Sequence, residues 1–313
     1  MGSDSPIRVV FVAGAGRSGS TLLDLLLGGA PGACAVSELR HIWRLGFVEN
    51  EFCGCARPFR DCPFWREVTR AAFGHVDAAR GEQLDRVQEW LLQSRHAPAL
   101  TWDRLARPTL RAQRDRWAKR ELSLLRAIQE VSGAHTIVDS SKNPMYGLLL
   151  ATLPEVDLRV IHLVRDSRAV AYSWARRTKA DPMRAGKQQF ELAKPWQAGA
   201  WWMIANAATE LAPPLHRTYL RVKYEQLAKD PEREMARIAA FAGLKQRPAS
   251  EHVNLGVHHS IGGNPMRYEQ GEIRVKPDTE WHKAMPGGDR RLITAMTWPL
   301  LLKYAYLWRS STA

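Results

Sequence analysis

The chain has 313 residues, of which 45% are hydrophobic and 12 are tryptophan, so it can bury a sizeable core, which we expect to form a single domain. Lysine and arginine number 45 against 32 acidic residues, a net charge of +13 that favours anionic ligands such as a nucleotide, an acidic acceptor, an anionic membrane or nucleic acid. No apolar run reaches the ~20 residues that cross a bilayer, and residues 2–6 are too short and polar for a secretion signal. Composition therefore excludes a membrane-spanning class and predicts a cytoplasmic protein.

The first predicted elements are a strand, a glycine-rich turn and a helix. Residues 8–13 form an apolar, β-branched run that is typical of a buried strand. Gly14, Gly16 and Gly19 allow a tight turn, and residues 20–28 continue as a leucine-rich helix. Unpaired backbone amides and the positive end of the helix dipole meet at this turn, which predicts an anion-binding loop.

The loop differs from a Walker A loop in the position of its cation. Ser20 stands where that motif has its phosphate-bridging lysine, and the cation comes earlier, at Arg17. A P-loop kinase would also need a magnesium-binding carboxylate at a strand end, for which Asp139 is the obvious candidate. A nucleotide-dependent kinase is the alternative enzyme. Outside enzymes, the alternative is a non-catalytic anion-binding or nucleic-acid-binding protein.

Further predicted strands alternate with helices. Short apolar runs predict strands at residues 33–36, 136–138, 158–164 and 218–222, and a long helix is predicted at residues 190–211. Ser37 is expected to cap a helix that runs to about Phe47. The alternation predicts an α/β protein with a P-loop-like three-layer fold, in which helices flank a central, mostly parallel sheet. Side chains at the carboxyl ends of such strands line the usual ligand site.

Residues 50–131 are predicted to form a cover and helical insert within this domain. Residues 52–65 are turn-rich and aromatic, and a charged helical pattern follows from 68 to 131. Pro98 and Pro108 are expected to break that pattern. Acceptor or nucleic-acid contact is the minority interpretation of the arginine-rich helix at residues 111–128, and no nucleic acid is expected as a partner.

Three cysteines, Cys53, Cys55 and Cys62, cluster in the turn-rich part of the insert. A structural zinc site needs four ligands, so this cluster is incomplete unless Cys34 or a histidine joins it. Free thiols are the expectation in a reducing compartment, with a disulfide or a thiol–metal site as the alternatives.

Several separate segments resemble, in the correct order, the sulfotransferases that use 3′-phosphoadenosine 5′-phosphosulfate (PAPS). Residues 163–173 resemble the segment that holds the 3′-phosphate, with Arg165 and Ser173 at the family's spacing. Residues 223–244 resemble a later strand–helix unit of the family. The loop that resembles the family's 5′-phosphosulfate site contains Arg17, Ser18, Gly19, Ser20 and Thr21. The resemblance implies sulfuryl transfer from PAPS to a hydroxyl-bearing acceptor, with release of the desulfated nucleotide PAP.

Within the family, the pattern is most similar to the tyrosylprotein sulfotransferases, and bacterial small-molecule sulfotransferases share its core. Glu38 and Arg40 stand where that branch has its catalytic base and a neighbouring arginine. Lys142 matches its catalytic lysine, and Tyr224 matches a nucleotide-contacting tyrosine. The chain shows no counterpart of the branch's membrane anchor or paired acidic residues, since Ser37 precedes Glu38. The acceptor therefore stays open among a phenol, a sugar, a lipid, an antibiotic and a peptide tyrosine, with an aromatic or amphipathic alcohol favoured.

The chemistry of the implied reaction suggests a role for each of these residues. Glu38 is expected to take the proton of the acceptor hydroxyl, and His41 is the alternative base. Arg17, Lys142 and the N–H groups of residues 19–21 would stabilise charge on the sulfuryl oxygens and the leaving phosphate, and no metal is expected there.

A late loop at residues 258–267 is expected to complete the nucleotide site. Arg267 is the preferred cation to close over the 3′-phosphate. Arg274 and Lys276 are the alternatives.

Overall fold

The computed structural model describes residues 5–176, 194–245, 252–269 and 271–307. Its centre is a five-stranded parallel sheet in the order β2-β3-β1-β4-β5. The strands are β1 (Ile7–Ala13), β2 (Ala33–Ser37), β3 (Thr136–Lys142), β4 (Val156–Val164) and β5 (Tyr219–Lys223). The predicted strands are confirmed, and the predicted α/β class with a parallel sheet is correct.

Helices connect the strands and cover both faces of the sheet. The helices before β4 are α1 (Ser20–Gly28), α2 (Pro63–Phe73), α3 (Ala78–Leu91), α4 (Ala97–Thr101), α5 (Pro108–Ser132) and α6 (Pro144–Leu150). Those after β4 are α7 (Ser167–Ala175), α8 (Pro195–Glu210), α9 (Tyr224–Lys229), α10 (Pro231–Ala242), α11 (Trp281–Ala284) and α12 (Gly287–Lys303). The helix predicted at 20–28 matches α1 residue for residue. The first residues of the helix predicted at 190–211 lie outside the described ranges.

The central strand β1 is buried on both of its faces. Val9 and Phe11 belong to one apolar cluster, which also contains Trp65 and Trp117 of the insert helices. Val10 and Val12 point into a second cluster formed with α1 and α10. Because both faces are covered, the strand is apolar from Val9 to Ala13 and shows no alternation of polar and apolar residues.

One local prediction is wrong, and one element was not predicted. Ser37 does not cap a helix: it ends β2 with a left-handed φ of 64°, and a 3₁₀ turn (Leu39–His41) and a π-helix (Ile42–Val48) follow instead of an α-helix. The predicted breaks at Pro98 and Pro108 are confirmed, since each proline lies in the first turn of a new helix, α4 or α5, where its missing N–H costs nothing. The late region also contains an unpredicted hairpin, β6 (His252–Leu255) with β7 (Gly271–Arg274).

Candidate functional site

The glycine loop between β1 and α1 packs too tightly for other residues at two positions. Gly14 has a φ of 122°, and a Cβ there would lie 2.3 Å from the carbonyl oxygen of Leu163. Gly19 has a φ of 91°, and a Cβ there would lie 2.5 Å from the ring of Tyr224. The loop therefore lies directly against β4 and the start of α9.

The loop arginine contacts the residues predicted to hold the 3′-phosphate. Arg17 donates from Nε to Ser173 Oγ at 3.2 Å, and its guanidinium lies 5.6 Å from the Trp174 ring centre. Arg165 donates from Nη1 to the carbonyl oxygen of Arg17 at 3.0 Å and stacks 4.4 Å from the Tyr224 ring centre. Four residues selected from distant parts of the sequence thus form one connected group.

Two residues that the sequence did not single out complete this group. Arg165 donates to Asp278 Oδ2 at 2.9 Å, and Arg176 donates to the same oxygen at 3.4 Å. Burial lowers the pKa of Arg17, and the nearby charges of Arg176 and Arg165 lower it further. Arg176 follows Ser173 by three residues, a spacing that places neighbours on one helix face, so the sequence held a signal for it. Asp278 comes from a segment without such a pattern.

Glu38 and Lys142 form a second group on the other side of the loop. Lys142 donates from Nζ to Glu38 Oε1 at 2.5 Å and to the carbonyl oxygen of Ser140 at 2.9 Å. His41 places Nε2 3.7 Å from Glu38 Oε2. Thr21 and Glu38 both border Gly263, since a side chain there would come within 3.8 Å of Thr21 Oγ1 and of Glu38 Oε1. The loop and the carboxylate therefore border the same space.

The electrostatics of this second group set Glu38 apart from His41. Burial alone would raise the pKa of Glu38, but the charges of Lys142 and His41 outweigh burial and hold that pKa below its usual range. Burial lowers the pKa of His41 to about 4, against the opposing attraction of Glu38. At neutral pH Glu38 is ionised and His41 is neutral.

Arg40 is turned away from the Glu38–Lys142 pair. Its guanidinium donates to Glu89 Oε1 of α3 at 2.8 Å and lies 3.2 Å from His41 Nε2. Its backbone is held by Ser141, whose Oγ accepts from Arg40 N at 3.0 Å, and by Gln88, which donates to Arg40 O at 2.6 Å. The insert helix α3 thus supports the chain just after Glu38.

The late loop approaches Glu38 and not the arginine group, which consists of Arg17, Arg165 and Arg176. Ile261 pairs with the end of β2, donating to Val36 O at 3.0 Å and accepting from Glu38 N at 2.9 Å. Arg267 is fully buried, donates to Gly263 O at 3.1 Å, and lowers the pKa of Glu38 after the larger effects of burial, Lys142 and His41.

The structure places the three late cations differently. Arg267 lies 3.9 Å from Glu51, on the Glu38 side of the loop. Arg274 ends β7, and Lys276 is exposed. The late contact to Arg165 comes instead from Asp278.

Buried carboxyl groups lie beneath the Glu38 side. Asp24 on α1 and Asp139 on β3 are each almost fully buried. Burial raises the pKa of Asp24 to about 8, with a further rise from the charge of Asp139, and burial raises the pKa of Asp139 to about 7. Asp139 accepts from Ser141 N at 2.8 Å, so it orients the chain before Lys142 and does not point into open space.

Strand order explains how these residues meet. Glu38, Lys142, Arg165 and Tyr224 each end a strand or directly follow one, at the carboxyl edge of β2, β3, β4 and β5. The loop of Arg17 follows the central strand β1, so it separates a β2–β3 side from a β4–β5 side. Ligand sites of open parallel sheets lie at this edge.

Three residues in or beside the glycine loop carry backbone strain. Arg17, Ser37 and Lys142 have φ values of 67°, 64° and 63°, in the left-handed region that non-glycine residues rarely adopt. They stand at the carboxyl ends of three neighbouring strands. Strain of this kind, held by the surrounding structure, concentrates at functional sites.

The five-stranded parallel sheet and the glycine loop between β1 and α1 define a P-loop-like α/β protein. The model of the sulfotransferase family matches residues 9–248, well over half of the chain. The chain belongs to the sulfotransferase family.

Curated relatives match part of the chain. Carbohydrate sulfotransferase 5 of Homo sapiens is 31% identical over 154 residues, which cover 42% of this chain and 36% of that protein. Carbohydrate sulfotransferase 2 of Mus musculus is 32% identical over 146 residues, covering 36% of this chain and 27% of that protein. The match therefore spans about a third of the length of these relatives.

Solved sulfotransferase structures are also similar to the chain. The sulfotransferase domain of the Synechococcus PCC 7002 olefin synthase has a TM-score of 0.49 and 20% identity, covering 94% of this chain and 96% of that one. Sulfotransferase STF1 from Mycobacterium tuberculosis H37Rv has a TM-score of 0.41 and 19% identity, covering 78% and 69%. Within the described ranges, no helix combines the length and apolarity needed to cross a membrane.

Proposed function

We propose that this protein transfers the sulfuryl group of PAPS to a hydroxyl of an acceptor and releases PAP. The observation that carries the proposal is the contact between the two predicted phosphate sites. Arg17 of the glycine loop donates to Ser173, and Arg165 donates to the loop backbone. A nucleotide with phosphate groups at both its 5′ and 3′ positions needs two anion sites that adjoin in this way.

The arginine group suits the 3′-phosphate. The guanidiniums of Arg165 and Arg176 bind Asp278, Arg176 also pairs with Glu280, and Arg17 lies beside both arginines, so three cations face two carboxylates and the group keeps a positive charge. Arg165 Nε is buried and has no hydrogen-bond partner in the described part of the chain. A buried donor without a protein partner can bond to a bound anion at no cost to an existing hydrogen bond. Charge-assisted bonds from Arg165, together with Ser173, are the proposed grip on the phosphate.

The glycine loop suits the 5′-phosphosulfate. The N–H groups of residues 18–21 stand at the start of α1, where the helix dipole favours an anion. Ser18 Oγ is buried and unpartnered among the described residues, which provides a further free hydrogen-bonding atom. Tyr224, packed against Gly19 and Arg165, is proposed as a contact to the nucleotide body.

Glu38 is the proposed general base. It is ionised at neutral pH, so it can accept the acceptor's proton as the acceptor oxygen bonds to sulfur and the bond from sulfur to the 5′-phosphate oxygen breaks. Lys142 holds the carboxylate in place and carries the positive charge that stabilises the transferring group. The geometry favours Glu38 over His41, because Lys142 holds the Glu38 carboxylate and this carboxylate borders the same space as Thr21 of the glycine loop. Arg40 and Arg267 act in this proposal as cations that support the Glu38 side.

The insert is proposed to shape the acceptor site. Residues 1–313 act in this proposal as one sulfotransferase domain, with the 50–131 segment as its cover. Trp65 and Trp117 of the insert share the apolar core of β1, and α3 holds the chain after Glu38. A hydroxyl-bearing acceptor would therefore enter beside the insert, whose aromatic content favours an aromatic or amphipathic alcohol.

Two measurements test the proposal. PAP is expected to raise the melting temperature without magnesium, since a ligand that binds only the folded state stabilises it. Labelled PAPS is then incubated with phenols, carbohydrates, lipids and peptides, and transfer of label to one class is expected. A melting temperature raised by ATP with magnesium but not by PAP would support the kinase alternative. A response to oligonucleotides but not to PAP would support the non-catalytic alternative.

A further inference from the structure

The structure brings a histidine to the three clustered cysteines. One ligand atom from each of Cys53, Cys55, Cys62 and His259 lies within 4.8 Å of every other. His259 belongs to the late loop, 197 residues after Cys62. Cys53 and Cys62 are buried, with 1% and 0% of their surface exposed. The fourth cysteine, Cys34, lies on β2 outside this group.

Three of the six separations between the ligand atoms are close to the edges of a metal-centred tetrahedron, and all six are within 4.8 Å. His259 Nδ1 lies 3.3 Å from Cys62 Sγ and 3.7 Å from Cys53 Sγ, and the sulfurs of Cys55 and Cys62 are 3.6 Å apart. Bonds of about 2.3 Å from zinc to sulfur and about 2.0 Å from zinc to nitrogen give tetrahedral edges of about 3.5 to 3.8 Å. All four cysteines are free thiols in the structure.

We propose that Cys53, Cys55, Cys62 and His259 bind one zinc ion as a closed structural site. Three thiolates and an imidazole are soft and borderline ligands that select zinc over magnesium or calcium. Four protein ligands leave no open position for a substrate, so the ion holds the fold together and takes no part in sulfuryl transfer. The sequence lacked the paired Cys-x-x-Cys spacing because the fourth ligand comes from a distant segment.

The neighbours of His259 fix the ring at the cluster. Its ring stacks on Phe64, with centres 4.8 Å apart and planes 9° from parallel. Trp65 donates from Nε1 to the carbonyl oxygen of His259 at 3.1 Å, and Gly54 N donates to Ser260 O at 3.1 Å. Such surrounding contacts orient a metal ligand before the ion arrives.

The site joins the insert to the segment that borders Glu38. Two residues after His259, Ile261 exchanges backbone hydrogen bonds with Val36 and Glu38 at the end of β2. Zinc at the cluster would therefore fasten the late loop both to the insert and to the edge of the active site. This role does not depend on which reaction the protein catalyses.

Elemental analysis of the purified full-length protein tests the site. About one zinc per chain is expected for the natural sequence and for the control variant Cys34→Ser, which removes a thiol outside the cluster. Cys62→Ser and His259→Ala are each expected to lose about nine-tenths of the bound zinc. A folded natural protein without stoichiometric zinc, even after addition of zinc ions, would overturn the proposal, and so would full zinc retention in both variants.

Two measurements on the natural sequence avoid reliance on variants that fail to fold. Cobalt(II) substituted for zinc is expected to show the absorption of tetrahedral cobalt with thiolate charge-transfer bands, and octahedral cobalt would contradict the proposal. After denaturation with a chelator, four free thiols are expected. A count of two, from a disulfide between Cys55 and Cys62, would overturn the metal site whether or not PAP binds.

Discussion

The two sides of the glycine loop differ in net charge. On the β4–β5 side, the three guanidiniums of Arg17, Arg165 and Arg176 outnumber the two carboxylates of Asp278 and Glu280, so the group retains a positive charge that an anion can neutralise. On the β2–β3 side, Glu38 and Lys142 already neutralise each other. In the proposed function, the first side binds the nucleotide, and the second takes the proton of the acceptor without attracting a competing ion.

The largest expected effect is on the transfer rate, when the charge of Glu38 is removed. Glu38→Gln is expected to lower the transfer rate by ~10²–10⁴, the usual contribution of a general base, while PAP affinity stays within a few fold of normal. Single-turnover transfer and calorimetric PAP binding measure the two effects. Glu67→Gln, in an exposed pair with Arg70, is the matched control. Normal turnover by Glu38→Gln would move the base to His41.

Removing Arg165 should produce the opposite pattern. Arg165→Ala is expected to weaken PAP binding by ~30- to 4000-fold, because truncating one member of a buried charged pair costs about 2–5 kcal/mol. The rate at saturating PAPS should change far less. Arg233→Ala on the exposed face of α10 controls for the loss of one positive charge. Equal losses in rate and affinity would show that the two sides do not have separate tasks.

The buried carboxyl groups near Glu38 are expected to make the free energy of unfolding depend on pH. The pKa of Asp24 is raised from 3.8 to about 8, so the folded state binds a proton that the unfolded state releases. Its contribution is fully present below pH 4 and is lost as the pH rises to about 8, with a slope of up to about 1.4 kcal/mol per pH unit. Denaturant unfolding from pH 5 to 9 measures the free energy. Asp24→Asn should flatten this fall, and an unchanged slope would contradict the assignment.

The smallest expected effect concerns Asp278. Its carboxylate accepts from Arg165 and Arg176, so it competes with a phosphate for both cations. Asp278→Asn is expected to tighten PAP binding by ~2- to 10-fold, in line with the modest energy of a partly exposed ion pair. Calorimetric titration compares it with Glu280→Gln, which alters the neighbouring pair with Arg176. Weaker PAP binding in Asp278→Asn would mean that the aspartate positions Arg165 and does not compete with the ligand.

Sequence and structure agree best where a signal is local. The strand and helix on either side of the glycine loop were predictable because buried parallel strands are continuous apolar runs and α1 repeats leucine at helical spacing. The helix predicted after Ser37 was wrong because Ser37 adopts a left-handed conformation that pairs β2 with the late loop, a tertiary contact that no local propensity encodes.

The sequence by itself determined the α/β class, the glycine loop and the residue types at the strand ends, since these depend on side-chain periodicity and on glycine conformation within short segments. Only the tertiary structure decided that Arg17 contacts Ser173, that Asp278 faces Arg165, and that His259 reaches the cysteines. Each of these contacts joins segments more than a hundred residues apart, and strand order and loop packing bring them together. Such contacts depend on the free energy of the whole fold, which no single segment of the chain contains.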